Sequence, residues 1–111
     1  AQNISENVVK MDSKQRKQLH IAAVFSCNFT NQMFAISDDI LEKSNIEFKL
    51  LLPLIKQTVN KLKTKKAIEV QTGPAKRKDL EIIKQHLNLI SNKKNKEIYK
   101  LISESIIKTH E

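Results

Sequence analysis

A histidine, a cysteine and two asparagines interrupt the apolar stretch LHIAAVFSCNF and its continuation TNQMFAI. On a helix that advances 100° per residue, His20, Cys27 and Asn31 fall within a ~40° strip, with Asn28 beside it. Polar groups in an otherwise apolar helix must find partners, because an unpaired buried polar group is costly. In one reading these side chains bond to neighbouring backbone or water. In the other they line a small-molecule pocket. There a histidine, which titrates near neutral pH, can hand over or take up a proton.

A second constellation lies at residues 71–80, QTGPAKRKDL, which hold the only glycine and one of the two prolines. Gly73 can adopt positive φ, and Pro74 then sets the exit direction. Lys76, Arg77 and Lys78 precede a helix N-terminus, where free N–H groups attract anions. The planar fork of Arg77 can take a carboxylate or phosphate in two parallel bonds, which a lysine cannot do. The plainer reading is a solvated basic turn between two helices. Other chemistry is not signalled: the chain has no Walker loop, GxGxxG, CxxC or HExxH. His20, His86 and His110 lack metal-ligand spacing, and Cys27 alone cannot complete a zinc site, so no metal is expected.

These residues need elements to hold them. One glycine, two prolines and 5% aromatics disfavour a sandwich or barrel. The abundance of Lys, Glu, Gln, Leu and Ile suits helices. The pattern predicts an all-α domain arranged as a bundle around one long central helix. Ile4, Val8, Val9 and Met11 suggest a short opening helix ending near Asp12, with Ser13 capping the next. That next helix runs from about Lys14 to Lys43, ~45 Å at 1.5 Å per residue. Its centre is apolar on nearly every face, and such a helix is buried all round. A chain of 111 residues can hardly wrap it, which points to a homodimer. Phe48, Leu52, Ile55, Val59 and Leu62 form an amphipathic stripe that Pro53 disturbs, so a regular helix starts close to Pro53 or kinks there. After a long connector, Asp79 caps a helix carrying Leu80, Ile83, Leu87 and Ile90. Asn95 caps a last helix carrying Ile98, Leu101, Ile102, Ser105 and Ile106 on one face.

The formal charge is +8. Such a surplus raises the question of nucleic acid, but the lysines are spread along the chain, as on solvated helix faces. Cys27, the single cysteine, reads as a small core residue and fits a reducing, cytoplasmic setting. No apolar run approaches the ~20 residues of a membrane helix.

LHIAAVFSCNFTNQMFAI, PLIKQTVNKL, QTGPAKRKD and IIKQHLNLI, in this order, resemble one family. It is the helical C-terminal domain, of unassigned function, that succeeds a Rossmann-like domain in NADP-dependent oxidoreductases related to the deazaflavin-dependent ones. The resemblance spans residues 13–110 and implies a fold similar to the C-terminal domain of 6-phosphogluconate dehydrogenase relatives. There a long central helix takes part in dimer packing and lines the cleft facing the nicotinamide. The family's His and Asn on that helix match His20 and Asn28. Its Thr-Gly-Pro, Arg, Asp and second His match Thr72, Gly73, Pro74, Arg77, Asp79 and His86. Lys78 departs from the pattern, which usually has glycine there. The catalytic lysine of the related hydroxyacid dehydrogenases falls on Val24, so their mechanism is not implied.

The expectation is therefore one helical C-terminal domain over residues 1–111, with the Rossmann domain outside this chain. It would be a non-catalytic piece of an NAD(P)-dependent oxidoreductase, serving the substrate side and dimerisation. NADP or NAD would be bound mainly by the absent domain, and no cofactor by this chain alone. His20 is the candidate proton donor. Asn28, Asn31, Thr72, Gly73, Arg77 and His86 are candidates for lining the cleft and meeting a small-molecule substrate. The rival reading is a basic helical module for nucleic acid or an acidic protein, and it lacks any helix-turn-helix spacing.

Overall fold

A computed structural model describes residues 10–111. Ile4, Val8 and Val9, from which an opening helix is expected, lie outside the described residues. The described residues contain helices and turns and no strand, so the chain is all-α. It divides into two units, Ala1–Leu50 and Leu51–Glu111.

In the first unit, helix α1 (Ser13–Ala23) passes through a π-helical segment (Val24–Phe29) into α2 (Thr30–Glu42). The junction residues Ala23, Val24, Phe29 and Thr30 all keep right-handed helical dihedrals, so the three pieces form one continuous helix. Its start differs from expectation by one residue, because Asp12 rather than Ser13 is the cap. Asp12 Oδ1 accepts from the Gln15 N–H at 2.7 Å, and Gln15 Oε1 accepts from the Asp12 N–H at 3.1 Å. This reciprocal pair satisfies two otherwise orphaned donors, which the shorter serine hydroxyl one position on cannot do. The other end closes on Asn45, at φ 58°. The Ile46 N–H donates to Leu41 O at 2.9 Å and the Asn45 N–H to Glu42 O at 3.0 Å, the paired bonds of a Schellman stop. Phe48 then packs edge-on against Phe34, with ring centroids 6.2 Å apart.

In the second unit, α3 (Leu52–Asn60) carries Pro53 in its first turn, where a missing N–H breaks no bond. Short 3₁₀ turns at Lys61–Lys63 and Ala67–Val70 come next. Helix α4 (Leu80–Leu89) is capped by Asp79, whose Oδ1 accepts from the Ile82 N–H at 3.2 Å. Helix α5 (Lys93–Thr109) is capped by Asn92, accepting from the Asn95 N–H at 2.9 Å. Asn95, expected to be the cap, is thus the residue being capped. The two helices are pinned by His86 Nδ1 and Tyr99 Oη, 2.7 Å apart, with the rings edge to face.

The connector before α4 is shaped. Gly73 has φ 99° and Lys78 φ 54°. Between them the chain makes one turn of helix, with the Arg77 N–H donating to Gly73 O at 3.4 Å. The Asp79 N–H donates to Pro74 O at 2.9 Å and the Lys78 N–H to Ala75 O at 3.1 Å. This is a second Schellman-type stop, with Lys78 in the left-handed position. Ala75, 5% exposed, is the one buried apolar residue among those described.

Among the described residues, the apolar centre of the long helix stays largely exposed. Phe25 is 66% exposed, and Leu19, Ile21, Phe29 and Ile40 are also exposed. Cys27, expected in a core, is exposed as well, because an apolar run along a helix does not itself bring a covering element to every side.

The two left-handed positions respond oppositely to substitution. Left-handed backbone costs an L-residue about 1–2 kcal/mol, and glycine's entropy returns about 0.5–1 of that. Lys78→Gly should therefore stabilise the protein by up to about 1 kcal/mol. Gly73→Ala should destabilise it by about 1 kcal/mol or more through backbone strain alone, since a Cβ there meets nothing within 4 Å. Urea unfolding of both variants checks the opposite signs.

Burial pushes the Tyr99 phenol above its ordinary value of 10.0. Folding thus favours the neutral phenol. That contribution is complete below the ordinary value and fades as pH climbs through the raised one. Tyr99→Phe should lose about 0.5–1.5 kcal/mol at pH 7 and show a shallower alkaline decline in thermal stability. An unchanged melting temperature at both pH values would assign no stabilising role to the His86–Tyr99 bond.

Candidate functional site

The seven candidate residues divide between the units. His20, Asn28 and Asn31 stand on the long helix of the first, and Thr72, Gly73, Arg77 and His86 in the connector and α4 of the second.

The π segment changes the geometry of the polar strip. A turn closed by i→i+5 bonds has the effect of one extra residue, so the residues beyond it lag by about 100°. In an uninterrupted α-helix Asn31 would lie about 20° from His20 and Asn28 about 80° away. With the lag, Asn31 swings to roughly 80° on the other side, while Asn28 is carried back towards His20. The expected grouping of His20, Cys27 and Asn31 therefore gives way to one of His20 and Asn28, with Asn31 on a neighbouring face. No proline or glycine in VFSCNF announces the wide turn. Its visible trace is the Thr30 hydroxyl, which donates to Phe25 O five residues back at 3.3 Å. Phe25 and Phe29 pack edge to face across the segment at 5.1 Å.

His20, Asn28 and Asn31 are exposed. The internal partner that a buried polar side chain requires is thus replaced by solvent in the chain alone. They sit among the exposed Leu19, Ile21, Phe25 and Phe29.

In the second unit, Thr72 and Gly73 lead into the turn and Arg77 ends it, exposed. The turn's internal hydrogen bonds hold the Arg77 backbone one turn before the capped start of α4. Arg77 forms no ion pair among the described residues; the pairs present are Lys43–Asp39, Lys49–Glu47 and Lys94–Glu97. His86 is turned to Tyr99, which leaves Nε2 as its remaining polar atom. Tyr99 is a residue that sequence reasoning misses, since nothing periodic links positions 13 apart on different helices.

The charge is not spread evenly. Residues 51–111 hold 14 of the 20 basic and 6 of the 12 acidic side chains, so the whole surplus of +8 lies there. Among the described residues no cluster of His, Cys, Asp or Glu could hold a metal ion, and no helix is long and apolar enough to cross a membrane.

A solved structure from Bacteroides fragilis, described as a "putative NADP oxidoreductase", is similar to this chain. The two are 43% identical with a TM-score of 0.84, over 88% of this chain and 38% of that one. The chain thus spans well under half the length of that protein. No curated protein matches it. A family described as a domain of unknown function, DUF2520, matches residues 1–106. The chain accordingly belongs to the DUF2520 family, the helical C-terminal domain of such oxidoreductases.

Proposed function

We infer that this chain is the substrate-side and dimerisation domain of an NAD(P)-dependent oxidoreductase, completed by a dinucleotide-binding domain outside this sequence. The observation that carries the reading is the 43% identity to a solved protein described as a "putative NADP oxidoreductase", of which this chain covers 38%. The residues present do not fit a dinucleotide. A pyrophosphate is held where a strand meets a helix through a glycine-rich turn. Here there is one glycine and no strand among the described residues. This domain's share is to bind and orient a small substrate and to supply a proton.

Reduction of a carbonyl or imine leaves its oxygen or nitrogen in need of a proton, and a histidine close by can give one at neutral pH. His20 has that role in this reading, with Asn28, two turns along the same face, orienting the substrate. Asn31 lines the adjoining wall. Arg77, in the second unit, takes an anionic group or an acidic residue of the partner domain, with Thr72 and Gly73 shaping the approach. His86 lines the same side while holding α5 through Tyr99.

The exposed apolar side chains of the long helix support dimerisation. Burying a large apolar side chain is worth about 1.5–3 kcal/mol, and Ile21, Phe25 and Phe29 lie within nine residues of one another. The protein is expected to sediment as a homodimer at micromolar concentration, and Phe25→Glu should shift it towards monomer. A clean monomer for the unaltered protein would defeat the dimer reading.

In the full-length enzyme, Arg77→Ala should weaken substrate binding or domain closure by about 1.5–3 kcal/mol, the worth of a charged hydrogen bond. Lys76→Ala and Lys78→Ala should cost far less. Steady-state kinetics of the three variants decide the matter. Equal small effects would return the segment to a solvated basic turn.

A further inference from the structure

Residues 61–78 carry seven basic side chains, Lys61, Lys63, Lys65, Lys66, Lys76, Arg77 and Lys78, against the single acid Glu69. None of the seven is in an ion pair among the described residues. The segment is nonetheless ordered by its two 3₁₀ turns and the closed turn at residues 73–79. A groove of 350 Å³ opens in it, lined by Lys61, Thr64, Lys65, Glu69, Val70, Gln71 and Thr72.

The threonines separate sharply. Thr30, Thr58 and Thr109 each spend their hydroxyl on a backbone carbonyl four or five residues back. Thr64 and Thr72 have no such bond among the described residues, and both line this groove. Glu69, the one acid, is already engaged, its Oε1 accepting from the Lys66 N–H at 3.0 Å. The Gln71 amide donates to Thr72 O at 2.9 Å and steadies the backbone that carries the Thr72 hydroxyl. The groove thus offers two ammonium groups and two uncommitted hydroxyls, with the remaining cations of the connector raising the local positive potential.

We propose that this groove binds the phosphate group of a small phosphorylated molecule, through Lys61, Lys65 and the hydroxyls of Thr64 and Thr72. A phosphate offers several acceptor oxygens and up to two charges, which suits two cations and two O–H donors. A carboxylate, with a single charge, would leave one of the two ammonium groups without a compensating charge. The groove's volume lies in the range of small-molecule sites. Lys61, Thr64 and Lys65 lie outside the substrate-side residues named above and only Thr72 is shared with them, so the proposal does not depend on Arg77 meeting a substrate.

The test is calorimetric titration of the protein with inorganic phosphate, glycerol 3-phosphate, acetate and a 20-base-pair duplex of random sequence. Both phosphates should bind and acetate should not. The double variant Lys61→Ala/Lys65→Ala should weaken phosphate binding at least roughly tenfold, as expected for lost charged hydrogen bonds. Thr64→Val and Thr72→Val should each weaken it by about three- to tenfold. A charge-matched control on α5, Lys93→Ala/Lys108→Ala, should change it little, and circular dichroism of every variant should show the parent's helix content. Binding of acetate and phosphate alike, or equal losses in the control and groove variants, would overturn the proposal in favour of diffuse attraction. So would tight duplex binding with no measurable affinity for glycerol 3-phosphate, which would point to a nucleic-acid surface instead.

Discussion

A helix some 45 Å long, with large apolar side chains on several faces, sets the constraint on which the rest of this protein depends. The helix supplies its own backbone hydrogen bonds, and both ends are closed by local devices, the Asp12–Gln15 box and the Asn45 stop. It is therefore well formed locally before anything covers it. What it lacks is burial, since none of its residues is fully enclosed within the chain. Helical stability in proteins comes mostly from packing of an apolar face. The helix thus leaves both apolar and polar side chains exposed. In the proposed dimer, the association that covers these apolar side chains would bear on how exposed His20 and Asn28 remain.

The second unit answers a different constraint, the concentration of the whole charge surplus in residues 51–111. Cations this dense repel one another, and a flexible connector would relieve the repulsion by extending. Here the chain instead folds back twice through left-handed residues, and Ala75 between them is buried. Lys78 shows what this asks of the chain. A glycine would take φ 54° without strain, yet a lysine stands there and accepts the cost. The resemblance that places glycine at this position and the dihedral that Lys78 adopts agree on the same physical requirement.

Much of this is legible in the sequence because the signals are local. Asp79 capping α4, the positive φ of Gly73 and the start of α3 beside Pro53 depend on a few neighbouring residues, and the structure agrees with all three. The caps of α1 and α5 differ from expectation, by one residue and by three. In both places two capping residue types lie close together, and the choice turns on which side chain reaches which N–H. Cys27 reads as core because an apolar run implies burial, but burial depends on what lies opposite, which a single helix pattern does not encode. Tyr99 escapes a linear reading because its bond to His86 joins two helices.

The π segment is the hardest of these features to read, and it bears on the candidate site. A uniform 100° step along the long helix is invalid for every residue beyond one widened turn. Its visible trace, the bond from the Thr30 hydroxyl to Phe25 O, spans five residues and cannot be distinguished in sequence from ordinary back-bonding to i−4. Yet the consequence is chemical. In a straight α-helix His20 would face along the axis towards Asn31, a full three turns away, about 16 Å at 1.5 Å per residue. With the wide turn it shares its face with Asn28, about 12 Å along the axis. Those two are also the long-helix residues that the family resemblance matches. The angular argument and the resemblance, which rest on different observations, converge on His20 and Asn28 only once the irregular turn is taken into account.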